Sequence, residues 1–96
     1  MAGSARSTVQ VDNVEVTVTE WRFAPGANTG WHRHAHDYVV VPLADGKLRL
    51  LEPGGGTREV GLRAGGSYFR NAGVEHDVIN ANDYEFAFIE IEIKKR

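Results

Sequence analysis

The chain contains no cysteine, and only one methionine and three prolines stand among its 96 residues. Without thiols there is no disulfide framework, no cysteine-ligated metal and no thiolate nucleophile, and a reducing cytoplasm is the expected location. A basic excess is also missing, since eleven Lys and Arg face thirteen Asp and Glu for a formal net charge of −2. That balance offers no electropositive field to a phosphate backbone, so no nucleic-acid partner is expected. The longest apolar-leaning run, Tyr38-Val39-Val40-Val41-Pro42-Leu43-Ala44, is far short of the roughly 20 residues of a spanning helix, so no membrane partner is expected. Residues 1–7 lack the apolar stretch of a secretory signal. They are expected to form a flexible N-terminus to a single domain over residues 8–96.

What the chain does have is eleven glycines at short intervals, with β-branched and aromatic residues between them, the pattern of many short strands. Val9, Val11, Val14, Val16 and Val18 form two alternating sets separated by the turn-like pair Asp12-Asn13. After Val18 the apolar parity changes to Trp21 and Phe23, which implies either a bulge or a strand buried on both faces. Further strands are expected over Trp31 to His36, Tyr38 to Pro42, Lys47 to Glu52, Thr57 to Leu62, Ser67 to Arg70, Glu75 to Ile79 and Tyr84 to Ile93. Asp45-Gly46, Pro53-Gly54-Gly55-Gly56, Ala64-Gly65-Gly66, Asn71-Ala72-Gly73 and Asn80-Ala81-Asn82-Asp83 supply the turns. The fold class is therefore all-β, a sandwich or barrel, in which closure protects edge strands that a small domain cannot otherwise cover.

Three of the four histidines lie in His32-Arg33-His34-Ala35-His36, and His76 stands alone. In a strand, residues two apart share a face with a rise of about 6.6 Å between them, so His32 and His34 point into one cavity. His76, from a different strand, would be the third neutral ligand of an open metal site. An all-imidazole set suits a divalent transition metal, Zn, Fe, Ni or Cu, better than Mg or Ca.

The surrounding spacing resembles the cupin superfamily in two places. The first is Gly26, five residues, His32, one residue, His34; the second is Gly65, five residues, Asn71, one residue, Gly73, two residues, His76, three residues, Asn80. The chain is most similar to small single-domain bacterial cupins associated with β-alanine degradation. The resemblance implies an antiparallel β-barrel of jelly-roll, or double-stranded β-helix, type, with metal ligands His32, His34 and His76. It also implies a homodimer formed by sheet packing or by exchange of an N-terminal strand.

Two positions depart from the family pattern. Asn71 stands where proline is usual, and the turn survives through side-chain hydrogen bonding. Tyr38 or Val39 stands where the first motif carries a glutamate ligand. Three neutral rings without that carboxylate leave a divalent ion its full charge, so a small carboxylate ligand is expected. Tyr38 is the candidate catalytic residue, a phenol whose pKa a nearby cation would lower. Among Arg22, Arg49 and Arg70, the last is the candidate substrate-binding residue because it precedes the turn leading to His76. His36 and Asp37 are expected outside the ligand set, and the aromatic residues to serve as apolar walls or subunit contacts. The functions compatible with this pattern are metal-dependent dioxygenase, isomerase or hydratase chemistry on a small carboxylate, or a non-catalytic small-ligand-binding barrel without metal.

Overall fold

The computed structural model describes residues 3–94 as two packed antiparallel sheets built from nine strands. These are β1 (Arg6–Asp12), β2 (Val16–Phe23), β3 (His32–Arg33), β4 (Asp37–Pro42), β5 (Gly46–Leu51), β6 (Thr57–Leu62), β7 (Tyr68–Arg70), β8 (Glu75–Asn80) and β9 (Phe86–Ile93). The larger sheet has the order β1-β2-β9-β4-β7 and the smaller β3-β8-β5-β6, the all-β jelly-roll arrangement expected from the turn pattern. Residues 1, 2, 95 and 96, at the two ends of the expected segments 1–7 and 8–96, lie outside the described residues. Ala5 N–H donates to the carbonyl of Asn28 at 2.8 Å, ahead of β1.

The break between β1 and β2 follows from Asn13, whose side-chain oxygen accepts from the backbone N–H groups of Glu15 and Val16 at 2.8 and 2.9 Å. This local bond competes with strand pairing and turns the chain. The parity change after Val18 has the second of its two explanations. β2 pairs with β9 without interruption, from Val16 with Ile93 to Phe23 with Phe86, while the register shift lies in β1, between Val9 and Val11. Val16 and Val18 therefore face outward and Thr19, Trp21 and Phe23 inward. Two expected strands are shorter than their sequence suggests. Only His32–Arg33 is a strand within Trp31 to His36, and β9 starts at Phe86 because Tyr84 is held in the preceding turn, its hydroxyl donating to the Asp45 carbonyl at 2.7 Å.

The core lies between the sheets. Phe23, Tyr38, Val40, Phe86 and Phe88 come from the larger sheet, and Leu48, Leu50 and Val78 from the smaller. Burial alternates strictly along β4 and β8, as period-two geometry requires of strands with one face inside. Of the aromatic residues expected as walls, Phe86 and Phe88 are buried, whereas Trp31 and Phe69 are exposed.

Candidate metal centre

His32 and His76 are direct cross-strand partners on β3 and β8, so their side chains leave the sheet on the same face. β3 ends at Arg33, yet the ladder continues informally: His34 N–H donates to the Val74 carbonyl at 2.9 Å, and Gly73 N–H to the His34 carbonyl at 2.8 Å. This keeps His34 in extended phase with His32 and turns its ring inward. Gly73 closes the turn with a φ of 95°, a conformation that glycine adopts at little cost. On the other side of His32, Asp77 anchors the entering loop, accepting from Gly30 N–H at 3.0 Å and from the Asn28 amide at 2.9 Å.

The three ring nitrogens converge. His34 Nε2 stands 3.0 Å from His32 Nε2 and 3.3 Å from His76 Nε2. Nitrogens bound at about 2.0–2.1 Å to one ion are separated by about 3.0 Å at a right angle and about 3.4 Å at the tetrahedral angle. The spacing thus fits one first-row cation. The tautomer fits as well. His32 Nδ1 lies 2.9 Å from the Gly30 carbonyl, an acceptor only, so this nitrogen carries the proton and Nε2 presents its lone pair. Burial pushes the pKa of His34 down to about 3, helped by the neighbouring His32 and His76 and by Arg70. His76 falls to about 4, again through burial first and then through His32, Arg70 and Arg58. Neutral rings are the form that binds metal.

Tyr38 stacks on His34 with ring centroids 3.9 Å apart and planes inclined by 20°. Its hydroxyl is buried without a hydrogen-bond partner among the described residues. The protein groups around it set its pKa above that of a free phenol. Burial raises it, outweighing Arg70, and Glu90, Tyr68 and Glu92 add to the rise. Arg70 is the cross-strand partner of Tyr38 and lines the cavity, with no ion pair among the described residues. Arg22 and Arg49 are drawn away to Glu20 and Glu85, and to Glu59, respectively. Asp37 caps a turn, accepting from Ala72 N–H at 2.8 Å, and neither it nor His36 lines the cavity.

The cavity measures about 320 Å³. Its apolar walls include Trp21, Val40, Leu48, Leu50, Val78 and Phe88, and its polar end holds the histidines, Tyr38 and Arg70. It shares Leu50, Tyr68 and Arg70 with a second cavity of about 470 Å³ between β6 and β7.

Sequence reasoning missed Glu90 and Glu92, which also face this cavity. Glu90 Oε2 is 3.8 Å from His34 Nε2, and Glu92 Oε2 is 3.9 Å from His34 Nδ1. Burial pushes the Glu90 pKa up to about 7, with the charge of Glu92 adding to the rise and a hydrogen bond from the Trp21 side chain opposing it. The expectation of an ion with uncompensated charge is corrected accordingly, because two carboxylates stand beside the rings. The signal available in sequence was parity: Phe86, Phe88, Glu90 and Glu92 occupy one face of a strand.

Comparison with known proteins gives a consistent picture. The family pattern described as "Cupin domain" matches residues 19–92. The chain is 69% identical over 87 residues to the Beta-alanine degradation protein BauB of Pseudomonas aeruginosa, covering 91% of this chain and 90% of that protein. It is also similar to the crystal structure of a cupin domain from Bordetella pertussis Tohama I, with 56% identity, a TM-score of 0.95, and 99% and 98% of the two chains covered. The polyketide cyclase RemF from Streptomyces resistomycificus, at 21% identity and a TM-score of 0.71 over 99% of this chain and 70% of that one, shares the fold.

Proposed function

The chain belongs to the cupin family, and from that membership we propose that it is a metal-binding cupin acting on or binding a small carboxylate metabolite in its barrel. The observation that carries this reading is the convergence of three Nε2 atoms at 3.0 and 3.3 Å, with burial keeping the rings of His34 and His76 neutral. His32, His34 and His76 would hold a divalent transition metal, which when bound polarises an oxygen of a ligand or lowers the pKa of water. Arg70, at the cavity wall and without an ion pair among the described residues, receives the carboxylate with a planar pair of donors. Tyr38 is the proposed catalytic residue. Buried and neutral, its hydroxyl donates a proton or hydrogen bond to a ligand bound in the cavity. Similarity to a protein named for β-alanine degradation supports a short amino acid or oxoacid as the ligand.

We also propose a cytoplasmic homodimer. Its support is the outward face of the larger sheet, where Val18, Ile91, Val39 and Phe69 form one cross-strand row. Such a row is apolar enough to be covered by a second copy.

Metal analysis of protein purified without chelator tests the central reading. About one transition-metal ion per chain is expected, and His76→Ala should weaken binding by at least about 100-fold. A parent protein without metal affinity would remove the metal-dependent reading and leave a metal-free binding barrel. Turnover of short carboxylates by loaded protein then separates catalysis from binding.

A further inference from the structure

We propose that Glu90, reaching in from β9, is the carboxylate ligand that β4 lacks, and that Glu92 positions the ring of His34 from its opposite nitrogen. The proposal rests on the reading of His32, His34 and His76 as a metal site.

The register explains how a carboxylate can change strands and keep its place. β4 and β9 are neighbours, with Tyr38 opposite Glu92 and Val40 opposite Glu90. Strands lie about 4.8 Å apart and directly opposed residues share a face. Glu92 directly opposite position 38 and Glu90 on the diagonal therefore meet the same cavity wall as a carboxylate at position 38 would. The exchange is chemically consistent, since Tyr38 now fills its old position by stacking flat on His34.

The two glutamates address different atoms of one ring. Glu90 Oε2 lies 3.8 Å from His34 Nε2, the nitrogen on which the other two histidines converge. That is about half an ångström beyond the spacing of adjacent ligands in a tetrahedral shell, a gap that rotation of an unbranched side chain closes. Glu92 Oε2 lies 3.9 Å from His34 Nδ1, where a carboxylate fixes the tautomer that leaves Nε2 free for metal.

Both side chains are also short of positive charge. Glu90 is 12% and Glu92 27% exposed, and among the described residues neither pairs with Lys or Arg. A carboxylate withdrawn from water as Glu90 is takes either a proton or a cation as its partner. A divalent ion at the three Nε2 atoms supplies both missing charges at the nearest point. An ammonium group on a ligand would satisfy the carboxylates too, but it would leave the clustered Nε2 lone pairs facing one another.

The test uses the full chain stripped of metal and titrated with Zn²⁺ and with Co²⁺. Binding is read by chelator competition, by tryptophan emission and by the visible Co²⁺ bands, and each stripped variant is melted as a check on folding. Glu90→Gln should weaken binding by at least about 100-fold and alter the Co²⁺ bands, with no fall in the melting temperature of the stripped protein. Glu92→Gln should weaken it by about 10-fold with the bands retained. If Glu90→Gln does not fold, Glu90→Asp carries the test, its carboxylate withdrawn by one methylene and its Co²⁺ bands expected to shift. Parent-like affinity and bands in the folded Glu90 variant overturn the proposal while leaving the three-histidine site standing. A parent that takes up no metal overturns both.

Discussion

Asn80 shows how much of the fold a single amide can hold. It is 2% exposed, and its side-chain nitrogen donates to the carbonyls of Phe23, Ala24 and Tyr84 at 3.2, 3.2 and 2.8 Å. Its oxygen accepts from the backbone and side chain of Asn82, both at 2.8 Å. Asn80→Ala leaves several buried carbonyls without donors and should cost about 3 kcal/mol, measured by urea unfolding. The titrating groups of the cavity pull stability in opposite directions in metal-stripped protein. His34 and His76, depressed from 6.5 to about 3 and about 4, contribute stability that is present above pH 6.5 and lost as pH falls through those values. Glu90, raised from 4.5 to about 7, contributes stability that is present below pH 4.5 and lost as pH rises through 7. Glu90→Gln should therefore flatten the decline between pH 4.5 and about 7 and leave the acid limb intact; melting temperatures across pH check it. The histidines were legible in the sequence because period-two spacing and the family pattern both select them. Glu90 and Glu92 were not. Alternation of isoleucine and glutamate ordinarily means isoleucine inside, and here the sense is reversed because the outer face of the sheet is apolar as well.

At the scale of elements, most strands were legible because glycine and asparagine turns bound them. β3 was overestimated. Its neighbours in sequence are extended, but only two residues meet the pairing geometry, and the ring of His34 is aimed by isolated backbone bonds that no composition reveals. The larger sheet carries the clearest consequence of two-faced strands. Inside it presents Thr19, Glu90, Val40 and Tyr68 across β2, β9, β4 and β7, and outside it presents Val18, Ile91, Val39 and Phe69. Phe69 alone is 53% exposed. Val18→Glu places a charge at the β2 end of this outer row and should convert the proposed dimer to monomer, read by size-exclusion chromatography with light scattering. A parent protein that is already monomeric at micromolar concentration counts against the dimer.

For the whole molecule, the order of strands in space differs sharply from their order along the chain. β9, made after the other eight, lies between β2 and β4, and β8 lies between β3 and β5. During synthesis the nascent polypeptide thus carries two incomplete sheets whose inner seats are vacant until β8 and β9 leave the ribosome. Contacts this distant close slowly, and until they do the exposed edges invite pairing with other chains. The last of these strands along the chain also delivers Glu90 and Glu92, so the proposed metal site is finished only when the scaffold itself is locked.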